Sequence, residues 1–460
     1  MVILRACPVQ QSAAQASGLN QEPVMKFRAL MLCSSIALVA LSPAAHAKLS
    51  APEAKMVATV DADYERSVAL LEKLVNQNSG TMNFPGVKTV GDMMRAELEP
   101  LGFKVEWIDM AKAGRSGHLV ATKAGKKDAK KLLLIAHLDT VFEVDSPFQS
   151  FVRNGDEAVG PGAGDDKGGM VVIVSALRAM QAAGTLKDAA IEIHMTGDEE
   201  DAGDPIDITR APLIAAGKAA DVALDFEGLS IENGKDMGVI SRRSSNSWKL
   251  EVSGVTGHSS LIFDSTYGDG AVFELTRILH RFRTELPEQN LTFNVGLVAA
   301  GQEVAFDPDG VRVSAKGKTN IIPGNALARG DFRTLSEEQS ARVREMMLGI
   351  VAASAPKTKA SISFDPGSYP AMAPTDGNKA LLADLNVVNR DLGLAEQLAL
   401  DPLKRGAGDI SFVANDVDGL VGLGVYSKGD HAPGETVDLD SIKRQAKRAA
   451  ILMTRLSRGN

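Results

Sequence analysis

Short apolar segments alternate with longer amphipathic ones along much of this chain, and that alternation most narrows the fold it can adopt. Lys131–Ala136, Ala190–Met195 and Asp221–Asp225 read as strands, with Lys104–Ile108 and His118–Thr122 before them. Ala54–Asn76 sets Leu70, Leu71 and Leu74 against Asp61, Glu65 and Lys73, as an amphipathic helix does, and Gly80 closes it. Thr89–Leu98 and Gly168–Gln181 read as further helices. Strands flanked by helices predict an α/β sheet covered on both faces.

The pattern changes after about Arg243. Ser247–Ser253, Gln289–Val298, Thr319–Ile322 and Ala326–Phe332 read as alternating strands, with helices at Gly270–Arg283 and Glu337–Ala353. Two strand pairs with two helices predict a smaller α+β open-faced sandwich over 244–360, inserted into a first domain made of 48–243 and 361–460. The α/β pattern resumes near Gly377 and ends in a helix, Ser441–Leu456. A length of 460 residues suits two domains. With 44% hydrophobic and 23% charged residues, disorder, collagen-like repeats and a multi-span membrane protein are excluded. A formal charge of −8 argues against nucleic acid as the main partner, because phosphate binding needs clustered Lys and Arg.

Met25-Lys26-Phe27-Arg28, the apolar run Ala29–Leu41 and Ala45-His46-Ala47 follow the pattern of a secretory signal peptide over 25–47, with cleavage expected after Ala47. The apolar run is too short to span a bilayer. Residues 1–24 then read as an upstream extension. Cys7 and Cys33 both fall in the removed part, so the mature chain is expected to have neither disulfide nor thiol chemistry. A periplasmic or secreted location is expected, with no membrane attachment after cleavage.

Residues that carry chemistry gather after the strands, where α/β sheets place their sites. His137 and Asp139 stand two apart at a strand end and so point to one side. Gly160–Gly169 holds Asp165 and Asp166 at the start of a helix, where acids also serve as plain caps. Asp198-Glu199-Glu200-Asp201 comes after the strand that ends at Met195; a solvated loop is the ordinary reading of such a run, but directly after an apolar strand end a site is the better one. Leu224–Glu227 and Gly429–Glu435, the latter with His431, complete the set. Taken together, two histidines and several carboxylates at strand ends suit two zinc ions, which accept N and O ligands and need a bridging carboxylate and a free one as base.

In this order, HLDTV, GPGAGDDKGG, TGDEE, FEG and GDHAPGE, the sequence resembles the co-catalytic zinc metallohydrolases: glutamate carboxypeptidase, aminoacylase, acetylornithine deacetylase and succinyl-diaminopimelate desuccinylase. The resemblance spans about residues 60–455. It implies a catalytic zinc-peptidase-like α/β domain with a mostly parallel sheet, interrupted by a lid that forms a homodimer. It implies two Zn²⁺ per subunit, with Co²⁺ or Mn²⁺ as substitutes. His137 and Glu227 would hold one ion, Glu200 and His431 the other, and Asp165 would bridge them. Asp139 would orient His137, and Glu199 would be the general base. His258, in Gly257-His258-Ser259, would reach the partner subunit's site and stabilise the oxyanion. Asn320 and Arg333 would contact substrate, with Gly408 in the glycine-rich loop beside them. His118, His194 and His280 match no motif and are expected to be structural.

Two departures bear on specificity. The glycine-rich loop reads Gly406-Ala407-Gly408-Asp409, without the family's usual hydroxyl. Ser368–Ala371 lacks the arginine that glutamate carboxypeptidase has there, which leaves Arg405 and Arg333 as alternatives. The expected activity is hydrolysis of an amide next to a free carboxylate, carboxypeptidase-like, on a peptide or N-acyl amino acid. An N-acyl-amino-acid deacylase or a dipeptidase is the alternative. An exported solute-binding protein would account for the leader and the length but not for the acid–histidine set.

Overall fold

A computed structural model describes residues 49–307 and 310–458, so the extension over 1–24 and the leader over 25–47 lie outside the described residues. The main sheet has six strands, in the spatial order Lys104–Asp109, Gly117–Lys123, Ala190–Thr196, Lys131–His137, Val222–Asp225 and Gly419–Leu420. The last four run parallel, and Gly117–Lys123 pairs antiparallel with its neighbours on both sides. The mostly parallel α/β sheet expected from sequence is therefore present.

Side-chain alternation explains why both faces are covered. Leu132, Leu134 and Ala136 enter one apolar cluster with helices α1 (Ala51–Ala62), α2 (Tyr64–Asn76), α3 (Phe84–Leu98) and α4 (Lys167–Ala182), while Leu133 and Ile135 enter another with α5 (Ile206–Ala219). The expected single helix over Ala54–Asn76 is two helices. Asp63 leaves helical geometry between them at φ −90°, ψ 9°, and its carbonyl accepts from Ser67 N–H.

The inserted part builds a separate four-stranded antiparallel sheet, in the order Thr292–Gly301, Asn325–Arg333, Asn246–Gly254 and Thr358–Phe364. Helices α6 (Gly270–Glu285) and α7 (Glu337–Ala352) cover one face and share an apolar cluster with Trp248, Leu250 and Phe332. Thr319–Ile322, expected as a strand, is a turn with one isolated bridge, Ile321 to His258. Pro323 has no N–H to extend that pairing. The fourth strand is Thr358–Phe364 instead. Two more helices, α8 (Asp376–Asp391) and α9 (Leu439–Ser457), return to the main sheet's cluster. No helix among the described residues is long and apolar enough to cross a membrane.

Candidate functional site

Three neighbouring parallel strands end on one side of the main sheet, so the loops leaving them are delivered together. Register pairs His137 with Thr196 and Ile135 with Asp225. His137, Gly197–Glu200 and Phe226–Glu227 thus emerge side by side. Asp165 arrives from the loop before α4, and His431 from the turn between the short paired strands Ser427–Lys428 and Thr436–Asp438 that precede α9.

Asp165 stands at the centre. Its Oδ1 lies 2.9 Å from His137 Nε2 and its Oδ2 3.0 Å from His431 Nε2. His431 Nε2 is also 3.2 Å from Glu200 Oε2. The other nitrogen of His137, Nδ1, is 3.1 Å from the Asp139 carbonyl and 3.5 Å from Asp139 Oδ1. His137 is thereby oriented from one side and turned towards the shared carboxylate with the other, as a ligating histidine is when a carboxylate stands behind it.

The charges are unbalanced in a way a cation would correct. Burial raises Asp165, but His137 and His431 outweigh it and hold the carboxyl well below its usual range. Asp165 and Glu200 lift His431 to about 11. Burial, followed by the negative charge of Glu227, pushes Glu199 well up. Burial also raises Glu200 against its His431 partner, and raises Asp225 to about 7 with Glu227 adding to it. Buried Asp166 Oδ1 and Asp225 Oδ2 have no hydrogen-bond partner. His137, Asp165 and Glu200 each offer a ligand atom within 4.8 Å of the others. Two imidazoles and crowded carboxylates form a donor set that suits zinc, and the residues present fit the metal.

Glu227 is placed differently from those three. Its Oε1 accepts from Arg242 Nη1 at 2.7 Å and its Oε2 from Arg405 Nη2 at 3.2 Å, so both oxygens face guanidinium groups. Arg242 runs across Gly406 and Ala407, donating to both carbonyls, and any Cβ on Gly408 would meet its Nη1 at 2.2 Å. Gly408 is glycine because this arginine occupies the space. Arg333 reaches the same loop and pairs with Asp331 at 3.3 Å. Asn320 and His258 are placed on the inserted part; His258 Nδ1 lies 2.8 Å from Ser260 Oγ, and His258 makes no hydrogen bond to the residues around Asp165.

Asp139 is fully buried and anchors the acidic turn. Its Oδ1 accepts from Glu199 N–H and its Oδ2 from Glu200 N–H, both at 3.1 Å, while Thr81 Oγ1 donates to Oδ2 at 2.7 Å. His118 supports the same turn, accepting Gly197 N–H at 3.1 Å on Nδ1. Asp198, which charge-run reasoning reads as solvated, is fully buried against Arg210 at 2.5 Å. The Glu435 carboxylate accepts from Gly162 N–H at 2.9 Å, Gly164 N–H at 2.7 Å and Asp165 N–H at 3.1 Å, tying the His431 segment to the Asp165 loop. Thr81, Arg210, Arg242 and Tyr369 stand in no motif; only their burial and partners reveal them. Glu435 had a signal, since it closes GDHAPGE.

The profile of Peptidase family M20/M25/M40 matches residues 133–455, a span that holds every residue from His137 to His431. Carboxypeptidase G2 of Pseudomonas sp. (strain RS-16) is 27% identical over 401 residues, covering 85% of this chain and 89% of that protein. Succinyl-diaminopimelate desuccinylase of Novosphingobium aromaticivorans is 27% identical over 396 residues, covering 82% and 94%. In fold, aminopeptidase PepT from Bacillus cereus superposes with a TM-score of 0.65 at 18% identity, over 85% of this chain and 98% of that one. The M20 family metallo-carboxypeptidase Sso-CP2 from Sulfolobus solfataricus gives 0.60 at 16%, over 85% and 99%. The chain belongs to Peptidase family M20/M25/M40 and is a metal-dependent hydrolase of peptide or amide bonds.

Proposed function

We propose that this enzyme cleaves an amide bond next to a free carboxylate, as a carboxypeptidase does, with two zinc ions in the site. The observation that carries the reading is the single carboxylate of Asp165 set between His137 and His431, with Arg333, Arg405 and Arg242 gathered around Gly406–Gly408 on the Glu227 side. When bound, the metals supply Lewis-acid polarisation of the scissile carbonyl and acidify the attacking water. His137, Asp165, Glu200 and His431 would hold them, with Glu227 joining by exchanging an arginine for a metal.

Glu199 takes the proton from the attacking water and passes it to the leaving amine. Its raised affinity for protons in a buried, acid-rich pocket suits that role. Asp139 fixes both the orientation of His137 and the backbone of Glu199. Arg333 and Arg405 are the carboxylate-binding candidates, since planar guanidinium groups match carboxylates in pairs.

A second reading, dipeptidase, is favoured by the cleft beside Glu199. It holds about 600 Å³ and is lined by Glu200, Asp201, Asp204 and Asp365 with no basic side chain, which suits a free amino group. Purified enzyme loaded with Zn²⁺ or Co²⁺ and offered dipeptides, N-acyl amino acids and N-acyl glutamates tests both. Cleavage only of substrates with a free carboxylate supports the main reading. Equal cleavage of C-terminal amides refutes it, and an absolute need for a free amine selects the dipeptidase.

Homodimerisation through the inserted part belongs to the same proposal. Its support is the sheet edge Thr292–Gly301, where Val298 is exposed, together with a His258 that makes no hydrogen bond to its own chain's site. Export to the periplasm or beyond rests on the leader sequence at 25–47.

A further inference from the structure

The two segments that connect the main sheet to the inserted one run antiparallel as a short ribbon. Arg242 and Met372 exchange backbone hydrogen bonds at 3.0 and 2.9 Å, and Ser245 and Tyr369 do the same at 3.0 Å each way. The side chains of this ribbon reach back into the site. Arg242 grips Glu227. Tyr369 Oη donates to the Glu199 carbonyl at 2.9 Å and accepts from Arg210 Nη2 at 2.8 Å.

Arg210 is fully buried and well fastened. Its Nε donates to Asp409 Oδ1 at 2.8 Å, its Nη1 to Asp198 Oδ1 at 2.5 Å and its Nη2 to the Asp198 carbonyl at 3.0 Å. Thr196 Oγ1 donates to the other oxygen of Asp409. The Tyr369 ring packs edge-on against Phe412 at 4.9 Å, which sets where its hydroxyl points. The peptide units on both sides of Glu199 are therefore held, by Asp139 at the N–H and by Tyr369 at the carbonyl.

We propose that Tyr369 is a positioning residue for the base: its hydroxyl, oriented by Arg210 and Phe412, fixes the Glu199–Glu200 peptide and ties it to the ribbon that carries the inserted part. The proposal rests on Glu199 being the base. A base that drifts by about an ångström loses much of its rate, and an aromatic ring without the hydroxyl cannot hold the carbonyl. Tyr369 lines the cleft beside Glu199, but its hydroxyl is engaged by the Glu199 carbonyl and Arg210 and Tyr369→Phe keeps the ring, so the loss is read in turnover more than in substrate binding.

Tyr369→Phe keeps the ring and deletes the contact. With metal-loaded enzyme and whichever substrate the wild type cleaves, kcat is expected to fall roughly tenfold, equivalent to about 1.4 kcal/mol in the barrier, while KM changes less than about threefold and bound metal is unchanged. Ser340→Ala removes a buried hydroxyl pairing with Thr334 in the inserted part and gauges the effect of lost stability alone; its kcat is expected to stay at the wild-type value. Amide exchange in residues 198–203 of the metal-free protein is expected to be faster in Tyr369→Phe than in wild type, a readout that needs no substrate and stands even if the substrate screen fails. Turnover within about twofold of wild type, an equal drop in Ser340→Ala, a drop explained by lost metal, or unchanged exchange in that loop would each overturn the proposal.

Discussion

Glu435→Gln tests whether the metal-ligand loops are held by a buried carboxylate. Glu435 is fully buried and accepts three backbone N–H groups, two on Oε1 and one on Oε2. The amide has one acceptor oxygen. In its better orientation it keeps Gly164 and Asp165 and turns an NH₂ towards Gly162 N–H; in the other it loses both. A hydrogen bond to a charged group contributes about 1.5–3 kcal/mol, and a neutral one about 1. Losing one charged bond and weakening two costs about 2.5–7 kcal/mol. Relief of the buried charge, whose cost lifts the Glu435 carboxyl to about 7, offsets part of this, so a net destabilisation of at least about 1 kcal/mol is expected. The damage lies under Asp165 and next to the His431 loop, so metal affinity should fall as well, by the roughly 10–100-fold typical when a group supporting a ligand is lost. Urea unfolding of the metal-free protein measures the first quantity, and titration with a competing chelator the second. Glu435→Asp, one methylene shorter, should not restore affinity. Wild-type metal affinity together with a stability loss below about 1 kcal/mol would refute this account of Glu435.

Glu199→Gln should lower turnover by about 10²–10⁴-fold while leaving bound metal unchanged; metal analysis with single-turnover kinetics checks both, and a residual rate above a tenth of wild type would point to another base. In the metal-free chain, burial raises Asp225, with Glu227 adding, and Glu435, each to about 7, whereas both titrate near ~4 when unfolded. The folded chain therefore holds extra protons across that window and loses stability as pH rises through it. His431, raised to about 11 by Asp165 and Glu200, acts in the same direction above its unfolded value near ~6.5; the lowered carboxyls Asp165 and Asp139 act only at more acid pH. Lys167, lowered to about 7 by burial, and His118, also lowered by burial, act the opposite way but are outnumbered by the raised groups. Thermal melts should then show a lower Tm for chelated protein at pH 8 than at pH 5.5, with metal narrowing the gap; a flat or rising profile would contradict the crowded-acid picture. Finally, His258→Ala and Glu199→Gln chains, each nearly inactive alone, should recover up to about a quarter of wild-type activity when co-refolded, if His258 acts across a two-fold interface; heterodimers that stay inactive would place His258 outside catalysis.

The α/β class and the set of candidate site segments were legible in the sequence because both rest on local patterns. Strands such as Lys131–His137 declare themselves by apolar runs, and parallel strands in one sheet must send their trailing loops to the same end. The motif order then names His137, Asp165, Glu199, Glu200 and His431 without coordinates, and the structure brings these segments to one place.

The features that sequence alone left undetermined depend on contacts between residues distant in the chain. Asp198 looks like one more acid in an exposed run, yet Arg210, which it shares with Asp409, makes it a buried partner. Glu227 carries a ligand motif, yet Arg242 and Arg405 hold both its oxygens. Thr319–Ile322 alternates like a strand and becomes a turn, because a strand needs a neighbour in register and Pro323 interrupts the pairing. A tyrosine at 369 means nothing in a linear reading. Only when the ribbon folds back does its hydroxyl meet the carbonyl of Glu199, 170 positions away, since a hydrogen bond is set by distance in space and a motif only by distance along the chain.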